Sequence, residues 1–135
     1  MDARCPSCHG PLAAGAHGDL ACTAHGHLLG SAMLDATFGL GSAAHAQHLA
    51  TTGQPVSRRC PQDNAALASV SSAGGGARGE ACSRCGALWI PAEVVERLMR
   101  TTPVDAATLE EARSVLALAA ARAVLTPAGK APARR

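Results

Sequence analysis

The chain has 135 residues, with 12 Lys and Arg against 10 Asp and Glu, six Cys, and Phe38 and Trp89 as its aromatics. Of its hydrophobic residues 31 are Ala and six are Cys, which leaves 27 larger apolar side chains, fewer than a fold of this length wants from apolar burial alone. No run of 18 apolar residues offers a membrane span, a net charge of +2 builds no basic track for nucleic acid, and two aromatics make no stacking platform for single strands.

In chain order, a Cys-rich turn at Cys5 to Cys8 leads to a short apolar stretch, Leu12 to Ala14, and a polar loop. A second strand-like stretch enters the turn Cys22 to His25 and leaves through Leu28 and Leu29. Ser31 then caps a helix carrying Met33, Leu34 and Phe38, ended by Gly39 and Gly41. Residues 42–56 are rich in Ala, His and Gln and include a short helix before a linker, Thr51 to Ser57. The hairpin plan then returns: a turn at Cys60 to Asp63, Leu67 to Val70, a loop holding Gly74, Gly75 and Gly76, a turn at Cys82 to Cys85, and Leu88 to Ile90. Pro91 opens a helix whose apolar face is Val94, Val95, Leu98 and Met99. Residues 104–125 form a longer helix, acidic early at Asp105, Glu110 and Glu111 and basic later at Arg113 and Arg122, as the helix dipole favours. Its stripe of Leu109, Ala112, Val115, Leu116 and Ala119 needs a partner surface, so an oligomer through this helix is one expectation. The tail, residues 126–135, holds Lys130, Arg134 and Arg135 and is expected to be disordered.

The two hairpin regions are copies of one pattern. Arg4-Cys5-Pro6 recurs as Arg59-Cys60-Pro61, and Leu12 as Leu67, at an offset of 55 residues. Cys22, His25 and Gly26 recur as Cys82, Cys85 and Gly86, and Leu28-Leu29 as Leu88-Trp89, at an offset of 60. The difference of five is taken up by the Gly-rich loop. The expected organisation is a small α+β chain: a first zinc ribbon over 1–30, a helical linker over 31–57, a second ribbon with its trailing helix over 58–100, a C-terminal helix over 101–125 and the tail.

Thiolates with two residues between them in a tight turn converge on one point, and two such turns facing each other make a tetrahedral zinc site. Cys5, Cys8, Cys22 and His25 give C-x2-C-x13-C-x2-H. His27 competes with His25 for the fourth place. The repeat favours His25, which stands where the second copy has Cys85 and is likewise followed by Gly. The second copy supplies Cys60, Cys82 and Cys85, with Asp63 where the first has Cys8. Asp63 reads equally as a carboxylate ligand and as a cap on its turn. One or two zinc ions are therefore expected, the second held more weakly, since a hard oxygen suits the ion less well than sulfur.

From Cys60-Pro61-x-Asp63 through Leu67 to Cys82-x-x-Cys85-Gly86-Ala87-Leu88-Trp89-Ile90-Pro91-Ala92-Glu93-Val94, the second copy resembles the bacterial transcription-factor-IIB-type zinc-ribbon family. That family carries C-P-x-C, a Leu, then C-x-x-C-G-G-x-W-L-x-x-x-E-L. The first copy resembles it more distantly, with Leu29 for the Trp and Met33 for the Glu, so the resemblance covers roughly residues 4–100. It implies a zinc-ribbon fold in each copy and similarity to small bacterial proteins of that kind, not a role in transcription initiation. Asp63 and His25 depart from its cysteines.

Several residues read as ordinary structure. Trp89 is expected to shield its site by packing over it. His45 and His48 share a helix face without the Glu of a H-E-x-x-H site, so a solvated face is expected. His9 and His17 lie beside turns and should be exposed; Glu93 and Glu96 are first-turn helix acids. A redox role for the C-x-x-C pairs wants a βαβ context that the pattern lacks. The expected function is a non-enzymatic tandem zinc-ribbon protein that binds a protein partner as an adaptor or regulatory module. The alternative is a nucleic-acid-associated ribbon using Arg58, Arg59, Arg78 and Arg84 and the basic tail. Residues 1–6 show neither a basic nor an apolar signal segment, so a reducing, cytoplasmic setting is expected, in which thiols bind metal.

Overall fold

The computed structural model describes residues 3–72 and 76–126. The tail from 127 onward lies outside them, and with it the expected disorder there. One seven-stranded antiparallel sheet runs in the order β1-β2-β3-β7-β6-β5-β4. Its strands are β1 (Ala13–Ala14), β2 (Leu20–Cys22), β3 (Gly26–Leu29), β4 (Gln54–Arg59), β5 (Ala66–Ser71), β6 (Arg78–Cys82) and β7 (Leu88–Pro91). Four helices accompany it: α1 (Ser31–Phe38), α2 (Ser42–Thr52), α3 (Ala92–Thr101) and α4 (Leu109–Leu125). Among the described residues no helix is long and apolar enough to cross a membrane.

The two copies share this sheet instead of standing apart. β3 pairs with β7, Leu28 opposite Trp89 and Leu29 opposite Leu88. Alternation along each strand sends these pairs to opposite faces. Leu29, Leu88 and Ile90 join Leu34, Val94, Val95, Leu116 and Val124 under the helices. Leu28 and Trp89 join Leu67, Ala87, Cys5, Cys60 and Cys82 in a separate cluster on the other face.

The repeat is visible in the strand register. The β1–β2 pair Ala13 with Ala21 becomes Ala68 with Ala81 between β5 and β6. The β2–β3 pairs Leu20 with Leu28 and Ala21 with His27 become Glu80 with Trp89 and Ala81 with Leu88. The equivalent of Trp89 is therefore Leu28, one position from the Leu29 that the sequence alignment chose. The slip arises at the turn before each strand. In the second copy Gly86, at φ +83°, donates to the Cys82 carbonyl and Cys82 N–H to that of Ala87, a complete turn. In the first, Gly26 already pairs with Cys22 as the first residue of β3. A Cβ on Gly26 would lie 2.4 Å from the Ile90 carbonyl oxygen, so only glycine lets β3 approach β7 here. With Leu28 matched to Trp89, a local twofold pseudo-axis passes through that pair, perpendicular to the sheet.

Two expected elements differ. The linker Thr51 to Ser57, inside the expected 31–57 helical segment, holds the end of α2 and most of β4. Gly53 and Pro55 look like loop punctuation, but β4 is an edge strand, where Pro is tolerated. The expected 101–125 helix begins only at Leu109, because Thr108 caps it by accepting from Glu111 N–H while Glu111 accepts from Ala107 N–H. In smaller measure, Gly30 and Pro91 are the N-caps of α1 and α3, so Ser31 is the first residue of its helix and caps nothing. The apolar shortfall is met by close packing: nine of the nineteen buried residues on the helix side are Ala, small enough to let helices lie tightly on the sheet.

A buried polar link fastens α4 to the first hairpin. Asp19 Oδ2 accepts from Ser114 Oγ at 3.1 Å and meets His27 Nδ1 at 2.7 Å, and Ser114 Oγ in turn accepts from Ala16 N–H. All three side chains are buried. Burial pushes the Asp19 carboxyl up, but hydrogen bonds from His27 and His17 N–H outweigh it and hold the group below its ordinary value. Ion pairs tie α3 to its neighbours, Arg78 of β6 with Glu93 and Arg113 of α4 with Glu96.

Asp19→Ala should cost about 3 kcal/mol in urea unfolding, because it strands two buried polar groups. A depressed carboxyl stabilises fully above its unfolded value and is lost as pH falls through the lower folded one. The wild-type advantage over the variant should therefore persist at neutral pH and shrink below roughly pH 4.

Candidate metal centre

The four turns project ligating atoms on the face opposite the helices. In the first copy Cys5 N–H donates to the Gly10 carbonyl, and His9 N–H to that of Cys5, with His9 at φ +64°. Ser7 and Cys8 N–H both point at Cys5 Sγ, at 3.3 and 3.5 Å. The second copy repeats this 55 residues on: Cys60 N–H to Ala65, Asn64 N–H to Cys60, Asn64 at φ +65°, and Gln62 N–H to Cys60 Sγ at 3.4 Å. At Cys82, Arg84 and Cys85 N–H point at the sulfur, at 3.3 and 3.4 Å. Turns of this shape present sulfur to an ion while amide dipoles offset its charge.

Two groups of four result: Cys5, Cys8, Cys22 and His25, and Cys60, Asp63, Cys82 and Cys85. Within each, one ligating atom per residue lies within 4.8 Å of every other, so each group could hold a metal ion. Cys8 and Cys22 sulfurs are 3.9 Å apart, and Cys22 Sγ is 3.4 Å from His25 Nδ1. Cys60 and Cys85 sulfurs are 3.7 Å apart. No disulfide joins any of the six cysteines.

All eight residues singled out in the sequence are brought together, and His27 is placed elsewhere. It lies on β3 with its imidazole turned to Asp19, on the helix side. Asp63 caps its turn and stands among the thiols of the second group. Its Oδ1 accepts from Ala65 N–H at 2.9 Å, closing the turn, while the carboxylate faces Cys82 Sγ at 3.3 and 3.4 Å. Burial pushes the Asp63 carboxyl up; the Ala65 amide and the Cys82 thiol more than offset this and leave it lowered. Burial raises the Cys5 and Cys60 thiols and pushes Cys85 up to about 11, whereas the Gly10 backbone hydrogen bond lowers exposed Cys8. Binding a cation turns the raised thiols into thiolates, coupling ligation to proton release.

Trp89 is 1% exposed and packs with cysteines of both groups. His9, His17 and His48 are exposed, but His45 is half-buried, and its Nε2 is buried with no hydrogen-bond partner. Missing from the sequence reading was the pair on the same face as Trp89, Arg58 on β4 and Glu80 on β6. Their contact is a two-bond fork, with Arg58 Nε 2.7 Å from Oε1 and a second bond from Nη2 to Oε2. Glu80 is 1% exposed; its strand register was the available signal, since it faces inward beside Cys82. Compared with protein-family models, curated proteins and solved structures, the chain matches none.

In competition titration with a chromophoric chelator, His25→Ala should weaken metal binding at the first group, while His27→Ala should leave it unchanged. Asp63→Ala should weaken the second group by tenfold or more, and Asp63→Cys should tighten it. Wild-type affinity in Asp63→Ala would make Asp63 a turn cap alone.

Proposed function

We propose that the protein is a non-enzymatic zinc-binding adaptor, with a zinc-ribbon site in each copy and a surface that engages a protein partner. The observation that carries this is the pair of four-residue groups on repeated turns. In a tetrahedron with bonds of ~2.3 Å to sulfur and ~2.0–2.1 Å to nitrogen, neighbouring sulfurs stand ~3.8 Å apart and sulfur and nitrogen ~3.5 Å. The separations of 3.9, 3.7 and 3.4 Å in the two groups fit an ion of that size. Four protein ligands at each ion leave no open position for water or substrate, the arrangement of structural zinc. The resemblance to transcription-factor-IIB-type ribbons belongs to the same reading.

The nucleic-acid alternative draws less support. Of the four arginines behind it, Arg58 is spent on Glu80 and Arg78 on Glu93. Thiols that must stay reduced to bind zinc suit a cytoplasmic setting.

Native mass spectrometry of purified protein should find two zinc ions per chain. Chelation should remove the protease resistance of residues 4–30, because ligand binding there supplies folding free energy. A chain that stays protected after complete chelation, or that carries no zinc when folded, would contradict the proposal.

A further inference from the structure

Between the two Cys-Pro turns runs a groove of about 840 Å³, within the roughly 300–1,000 Å³ of built ligand sites. Its two walls are repeat equivalents. Arg4, Pro6 and His9 line one side, and Arg59, Pro61 and Asn64 the other. The groove therefore straddles the same pseudo-axis that passes through Leu28 and Trp89, with one exposed guanidinium on each wall.

The charges of this groove are unevenly committed. Arg58 also lines it but is forked onto Glu80. Asp63, the one carboxylate among its lining residues, is held by Ala65 N–H and turned to Cys82. Arg4 gives one bond, from Nη1 to the His9 carbonyl, and Arg59 one, from Nη1 to the Asn64 carbonyl. Neither has a carboxylate within ion-pair distance among the described residues. Each guanidinium has five N–H donors in a planar fork that matches a carboxylate, so closing the turn uses one and leaves the rest to face the groove.

We propose that this groove binds an extended acidic segment of a partner protein, whose carboxylates pair with Arg4 on one wall and Arg59 on the other. The inference deepens the adaptor reading and rests on it. Two features favour carboxylates over a nucleic-acid backbone. The lining residues include no Phe, Tyr or Trp on which a base could stack. With zinc bound, three thiolates and a neutral imidazole leave one site at −1, and three thiolates and a carboxylate leave the other at −2. Two free guanidinium groups set against that field suit two carboxylates, not a strand with a charge every ~3.4 Å.

The test is fluorescence anisotropy with zinc-loaded full-length protein and a fluorescein-labelled decapeptide of alternating Glu and Ser. A Gln-for-Glu version and a single-stranded oligonucleotide serve as comparison probes. The Glu peptide should bind at low salt, weaken as salt rises, and exceed the Gln peptide by tenfold or more. Arg4→Gln with Arg59→Gln should lower its affinity at least tenfold, Arg4→Lys with Arg59→Lys should keep part of it, and Arg84→Gln with Arg100→Gln should change little. Native mass spectrometry on the same samples counts the ions. Two zinc ions without Glu-peptide binding, equal affinity in the Gln double variant, or tighter binding of the oligonucleotide would overturn the groove proposal and leave the adaptor reading standing. Absence of zinc would instead remove the adaptor reading itself.

Discussion

Four residues of β3 against four of β7 hold the molecule together as one body. That seam places Leu28 opposite Trp89 on the turn side and Leu29 opposite Leu88 beneath the helices. Everything on either face inherits its position from this register. A slip of one residue would send Trp89 under the helices and Leu88 toward the cysteines. Gly26 makes the approach feasible, since any side chain there would meet the Ile90 carbonyl.

The two faces solve different problems. Beneath the helices, alanines let α2 and α4 lie close, and Asp35 Oδ1 accepts from Ala43 N–H to join the end of α1 to the start of α2. On the other face there is little hydrocarbon to bury. Cys5, Cys60 and Cys82 are themselves core residues, packed with Leu28, Leu67 and Trp89. A cysteine of one group that packs in a cluster shared with the other ties the order of the two groups together. The two groups are thus parts of a single sheet core and not independent knuckles on a string.

The two groups that could hold a metal ion were legible because turn chemistry fixes their spacing: two residues between Cys5 and Cys8, and between Cys82 and Cys85, recur whatever lies between. The helices after Leu29 and Ile90 were legible from periodicity. The partner of Trp89 was not, because Leu28 and Leu29 are chemically identical and only the face each occupies separates them. β4 was hidden by Gly53 and Pro55, whose turn preferences yield to an edge position. Asp19 and Ser114 are 95 residues apart, so no local pattern could join them. The joining of the copies through β3 and β7 was likewise beyond sequence spacing, since antiparallel pairing across such a distance leaves no periodic trace.

The proposed metal ligation and the β3–β7 seam would form one cooperative unit. Hydrogen–deuterium exchange of Cys22→Ser, which removes one ligand from the first group alone, tests it most directly. Amide protection should fall together in β3 and in β6 and β7, in the other copy. Loss confined to residues 3–29, with β5, β6 and β7 protected as in wild type, would contradict the account and make the copies independent.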